Sequence, residues 1–445
     1  MMSGQASCVN VLALLPTWKD RFNLDLEKLS IPDGLKLFEA VNPSPARGPG
    51  TKSSTTFCFT EYLEHCADMI ERYSIDFLLS CRDDTSVVKA ALCDKFPHIP
   101  GPTLEAMMLC HNKYLTRKYA DPDPHPIKFT HLDLDDFTLN DLEEALQNVG
   151  CPAIMKPCVA TSSRGVIKVN CLQDMVTQMN LYKKFPVSGL CEFLKGKISH
   201  RKYPEAFKNG VIVEEYVDAA AIVGVEGLIA NKRIIPWQVC DVFVWKNRPG
   251  CVKASLLPST LGADVIEKVK IKFRDIAERM ISHGYNNDFL AMDIFILKNG
   301  HCKLIEINQR MYCTFINLDN QCYTNGNPVR ALLDLAQSKP IQRPIKVKYG
   351  LNAFITTYNK QPTRLSDLLE LNDPSTKYLF TPYFSPDEEV AVPSDDTGII
   401  IAVADFISPR HEDLLPAFYS LCDKVIKKPE WSPSGGTNAC NETSS

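Results

Sequence analysis

Two apolar strands separated by a short polar turn, Phe289–Leu297 and His301–Ile307 joined by Lys298, Asn299 and Gly300, set the strongest limit on how this chain folds. Asn-Gly between two such runs reads as a hairpin. Asp293 stands six residues before Asn299 and Glu306 six after Gly300, so antiparallel pairing brings the two carboxylates side by side. The two-residue period of a strand returns Asn308, and then Arg310, to that same face. Two carboxylates and an amide on an apolar hairpin are costly to bury unless a hard cation neutralises them. Magnesium takes oxygen ligands of this kind and is commonly completed by water and phosphate. An edge hairpin with its polar side in water would explain the same residues, so the reading needs support from elsewhere in the chain.

Three upstream segments supply it. Ala153–Lys156 is an apolar strand that ends in a lysine and runs into a loop containing Ser162, Ser163 and Gly165. A lysine beside such a loop can set a point charge on phosphates while hydroxyls and backbone N–H groups cover them. Gly210–Val217 is a buried strand leading into Glu214 and Glu215, which suits adenine and ribose; a solvated strand end would look the same. Lys113, in Asn112–Arg117, could reach a nucleotide from the preceding unit, and alone it reads as a solvated helix face. The order of these segments makes the cation site the better reading.

Alternating apolar and helical stretches, Val9–Leu15, Thr60–Tyr73 and Ile75–Ser80, predict a small α/β unit with a parallel sheet over residues 1–122. Thr103 is placed to cap a helix running through Lys113, Arg117 and Tyr119, and Pro122, Pro124 and Pro126 end it. Residues 123–340 read as the central unit, with strands at Val211–Val217, Val223–Ala230 and Ile234–Val244 and a long amphipathic helix from Ala263 to His283. Residues 341–428 read as a small α+β addition, and the Pro/Gly/Ser/Thr-rich tail 429–445 as disordered. The basic stretch Lys183–Lys202 reads as a solvated lysine-rich segment or a lid extension.

At 445 residues the chain exceeds one ordinary core. Its net charge of −4 gives no broad basic surface for nucleic acid, and no run approaches the length of a membrane helix. Its 17 cysteines are scattered without a C-x-x-C pair, which reads as reduced thiols in a cytoplasmic protein. The sequon at Asn441 would then go unused. No spacing of cysteine and histidine supports a nucleophilic pair.

Taken in order, Lys113, Lys156 with its Ser/Gly loop, Glu214-Glu215-Tyr216-Val217, and Asp293 followed by Glu306-Ile307-Asn308-Gln309-Arg310 resemble the ATP-grasp superfamily. In style they are similar to the biotin-carboxylase-like carboxylate–amine ligases of the L-amino-acid ligase and carnosine synthase type. The resemblance implies an ATP-grasp fold of the α/β (α+β) class, preceded by a parallel-sheet domain. It implies that Lys113, Lys156, Ser162, Ser163 and Gly165 meet the phosphates of ATP, and that Glu214, Glu215 and Val217 bind adenosine. Asp293, Glu306 and Asn308 would hold one or two Mg²⁺ ions, with Mn²⁺ as an alternative, and Arg310 would steady an acyl phosphate. Lys253 is a further phosphate or substrate contact on this reading.

The chain departs from the family at Asp218-Ala219-Ala220-Ala221, where an acidic contact is displaced, and at Met311-Tyr312-Cys313, where glycines are usual. The implied activity joins a small carboxylate to a small amine, with no nucleic acid or membrane partner and a homodimer left open. An ATP-binding regulatory protein without turnover, or a carboxylase-type enzyme using a separate carrier, are the alternatives.

Overall fold

The computed structural model describes residues 8–16, 24, 30–42, 58–161, 163–183, 193–194, 197–245, 248–312, 315–370, 379–384, 387–391 and 398–428. The expected disordered tail, 429–445, and part of the basic stretch Lys183–Lys202 lie outside these residues.

Near the N-terminus, β1 (Val9–Leu15), β2 (Leu35–Val41) and β3 (Phe77–Leu79) form a parallel sheet in the order β2-β1-β3. β1 is almost entirely apolar because both its faces are covered, as parallel strands require. Helices Phe59–Tyr73 and Asp83–Lys95 lie on it. β2 has no counterpart in the sequence reading; its burial alternates irregularly and its middle is only half-buried.

A four-stranded antiparallel sheet follows, built from β4 (Phe129–Asp133), β5 (Ala153–Pro157), β6 (Ile167–Val169) and β7 (Gly210–Glu215) in the order β4-β7-β5-β6. The largest sheet has eight strands, all antiparallel. It starts with β12 (Cys302–Asn308), β11 (Asp288–Ile296), β8 (Ala221–Ala230), β9 (Arg233–Trp245) and β10 (Arg248–Leu257), and continues through Tyr349–Thr357, Ile399–Ser408 and Leu379–Pro382. The sheet therefore passes without a break from the central unit into the C-terminal strands. Helix Ala263–Ser282 covers one face through Val269, Phe273, Ile276 and Met280. Among the described residues no helix is long and apolar enough to cross a membrane.

Between the first and second sheets the sequence predicts one helix through Lys113 and Tyr119, and the structure corrects this. Thr103 caps helix Leu104–His111, accepting from the Ala106 N–H at 3.2 Å. Asn112 then breaks it. Its backbone is extended and its side-chain oxygen accepts from both Tyr114 and Leu115 N–H at 3.1 Å, starting a new turn. Asparagine competes with helix in this way because its short amide satisfies the orphan donors of a fresh N-terminus. The break redirects Lys113 and Arg117 toward the sheets.

Candidate active site

The hairpin turn holds three residues, Lys298 to Gly300, with Leu297 N–H donating to His301 O at 2.9 Å. Gly300 takes φ +75°, the left-handed position that closes a three-residue turn. This turn alone would pair Ile294 with Leu304 and set Asp293 opposite Ile305. A bulge between Asp293 and Ile294 adds one residue, so Asp293 pairs with Glu306 and Ala291 with Asn308. The extra residue reverses which side of β12 faces outward: Leu304 is fully buried, while Glu306 emerges beside Asp293. Arg117 ties the bulge down, donating to Ile305 O at 2.7 Å.

On the resulting face Asp293 accepts from Asn308 Nδ2 at 3.2 Å and from the Tyr312 hydroxyl at 2.9 Å. Gly224, opposite Asp293 on β8, leaves room for that phenol; a Cβ there would lie 2.9 Å from the Tyr312 hydroxyl. Burial, and then the nearby Glu306, push the Asp293 carboxyl up to about 7. Lys113 Nζ is 3.4 Å from Glu306 and donates to Ala160 O at 2.6 Å. A carboxylate pair held this close, with one member forced toward its neutral form, fits a divalent cation, and turning over the Asn308 amide would add a third oxygen.

Lys156 and Glu214 meet each other. Their ion pair is 2.7 Å long and Arg117 closes it from the other side at 2.8 Å. All three side chains are buried. Burial works against the Glu214 charge, but Arg117 and Lys156 outweigh it and hold the carboxyl below its usual range. Glu215 pairs with Lys303 at 3.1 Å. Together with Tyr216, Val217, Asp218 and Lys298 they line an open pocket of about 380 Å³ at the hairpin tip. Lys303 pairs with Phe295, so it shares the Asp293 face. One continuous face thus runs from the Glu215–Lys303 pocket to the Asp293–Glu306 pair.

Beyond that pair, Arg310 is gripped by Asp83 through Nε at 2.9 Å and Nη2 at 3.3 Å. Although burial opposes it, Arg310 holds the Asp83 carboxyl below its usual range. Gln309 donates to Asp83 O at 3.3 Å and to His111 Nδ1 at 2.9 Å. Burial keeps His111 neutral, its pKa lowered to about 4, with Lys113 and Arg310 adding to the effect. Sequence reasoning gave no role here to Asp83, His111, Arg117 or Lys303, and it met Tyr312 only as a departure from the glycines usual at that place. Lys303 lies within the hairpin motif, but the bulge hid its face.

Ser163 (φ +55°) and Gly165 (φ +70°) turn the loop after β5, whose Ala160 carbonyl receives Lys113; Ser162 lies outside the described residues. Lys253 is not beside these groups. It donates to the Tyr419 hydroxyl at 2.7 Å with its ammonium over the Trp245 ring, in the C-terminal part of the large sheet. The described cysteines are free thiols, most of them buried.

No model of a known protein family and no curated protein sequence matches the chain. Solved structures do. The L-amino acid ligase from Bacillus licheniformis aligns over 94% of this chain and 98% of its own, with a TM-score of 0.65 and 13% identity. An ADP complex of N5-carboxyaminoimidazole ribonucleotide synthetase aligns over 93% and 96%, with a TM-score of 0.66 and 12% identity. The chain has the ATP-grasp fold. A third match is the biotin carboxylase domain dimer of Hydrogenobacter thermophilus 2-oxoglutarate carboxylase, solved with MgADP, ADP and bicarbonate. It covers 94% of this chain and 90% of its own, with a TM-score of 0.63 and 14% identity.

Proposed function

We propose that this protein is an ATP-dependent, ADP-forming carboxylate–amine ligase that acts through an acyl phosphate and joins small amino acids or related compounds. The observation that carries the reading is the single face of β11 and β12. It runs from the Glu215–Lys303 pocket past the Asp293–Glu306–Asn308 donors, with Arg310 just beyond, an order that would suit a nucleotide base, its phosphates and an acyl group. In this reading Glu215 and Val217 receive adenosine in that pocket. Lys113 and the Ser163–Gly165 loop meet the phosphates, while Glu214 acts by holding Lys156 in place. Asp293, Glu306 and Asn308 would hold magnesium, or manganese, whose bound charge offsets that of the β- and γ-phosphates. Arg310 meets the oxygen on which charge develops as the amine attacks.

No side-chain nucleophile takes part. The donor set and the MgADP complex of the Hydrogenobacter protein support this reading. ADP release measured over a panel of carboxylate and amine pairs tests it. ADP that appears only when both substrates are present is the expected result. Binding of Mg·ATP without release from any pair would replace the ligase by a nucleotide-binding regulator.

A further inference from the structure

Behind Tyr312 the same sheet face carries a second pair of carboxyl groups that the site above does not use. Glu226 lies on β8, opposite Gln238 of β9. Asp319, on helix Ile316–Cys322, packs close to it. Both residues are 0% exposed. Glu226 accepts from Gln238 Nε2 and from the Tyr312 N–H, each at 2.8 Å.

Asp319 is different, because neither of its buried oxygens makes a hydrogen bond of ordinary geometry, and the donor that faces it is the Gln238 amide already given to Glu226. The Gln238 side-chain oxygen and the Tyr323 hydroxyl are also buried without a partner. Gln238 and Tyr323 are only 7% and 8% exposed. Among the described residues, neither carboxyl makes an ion pair. Burial pushes Glu226 up to about 7 and, together with Glu226 itself, drives Asp319 well above the carboxylate range.

Each buried acceptor left without a donor costs on the order of 1–3 kcal/mol, so such a cluster points to something that fills it. A water would bring two donors and no charge. A divalent metal would find two carboxylates and an amide oxygen, as at Asp293, but Glu226 and Asp319 are closed off from the water and phosphate that complete such a shell. An ammonium brings three or four N–H donors and one positive charge. It matches the two Asp319 oxygens and Gln238 Oε1, and it neutralises one carboxylate of the pair. Tyr312 connects this cluster to the Asp293 face, since its N–H is on Glu226 and its hydroxyl on Asp293.

We infer that Glu226, Gln238 and Asp319 hold an ammonium cation behind Tyr312, and that this cation is the protonated amine substrate. The second clause rests on the ligase reading; the first does not.

Thermal unfolding at constant ionic strength tests the first clause, with tetramethylammonium chloride replaced by ammonium or methylammonium chloride. Tetramethylammonium has the charge but no N–H donor. In the wild-type protein the replacement should raise Tm by about 2–4 °C, as expected for a ligand present well above its Kd. Asp319→Asn and Glu226→Gln should each lose that rise. An equal Tm in all three salts, or a rise that survives in the substituted proteins, overturns the cation site and leaves shared protons as the neutralising charge. Should one variant not fold, the other and the wild-type comparison still decide.

For the second clause, Asp319→Asn should raise the KM of the amine about tenfold and leave the KM of ATP unchanged. An unmoved amine KM overturns the identification with substrate. A selective Tm rise in a protein that releases no ADP with any amine would keep the cation site and remove the ligase reading.

Discussion

Glu214 and Asp293 are both strand carboxylates of the candidate site, and the chain treats them in opposite ways. Glu214 receives Lys156 at 2.7 Å and Arg117 at 2.8 Å, so its charge is neutralised from within. Among the described residues Asp293 has only a phenol and an amide as hydrogen-bond partners, and the lysine nearby reaches Glu306 instead, at 3.4 Å. Where the chain supplies its own cation, a carboxylate becomes part of the framework. Where it does not, the carboxylate is pushed toward its neutral form and waits for a charge from outside.

Substitutions on each side put that contrast at risk. Glu306→Gln should lower turnover by about 100-fold or more while the circular dichroism spectrum stays unchanged, because an amide keeps the shape and loses the charge that a metal needs. Wild-type ADP release in that protein would place the cation elsewhere. Glu214→Gln should cost about 3–5 kcal/mol of stability by urea unfolding, since it leaves Arg117 and Lys156 buried together without the carboxylate they share. A change under 1 kcal/mol would mean that Glu214 is not the neutralised member of the comparison.

Asp83→Asn should lower kcat about tenfold with the KM of ATP little changed, because it loosens Arg310 without touching the nucleotide. A fall in ATP affinity instead would move Asp83 to the nucleotide side. The smallest effect concerns pH. The folded Asp293 pKa of about 7 lies above its ordinary value of 3.8, so the metal-free protein binds an extra proton between these limits. Its stability from this group is therefore lost as pH rises through that window. Asp293→Asn should melt a few degrees above wild type at pH 8 without metal, and the gap should close near pH 4. A gap that widens on acidification would contradict the assignment.

Local regularity decided how much of this was legible beforehand. Helices Phe59–Tyr73 and Ala263–Ser282 stand out because their apolar spacing follows one period throughout, and β1 and the hairpin strands because they are short, mostly apolar runs. β10 and strand Tyr349–Thr357 do not appear in the sequence reading; apolar periodicity of that length does not distinguish strand from helix. In the candidate site, the residues that approach through the chain's own strands could be named. Asp83 and His111 are 227 and 198 residues away from Arg310 and Gln309, the groups they hold, and no local pattern links them. Arg117 reads as a solvated helix residue because only the break at Asn112 turns it inward.

The bulge at Ile305 makes the chemistry of this face a matter of counting. Pair the same residues without the bulge, and Ile305 would face Asp293 while Glu306 turned toward helix Ala263–Ser282 and Ile307 toward solvent, with the composition unchanged. The guanidinium of Arg117, seated on that one surplus carbonyl, serves as the parity check on the whole strand.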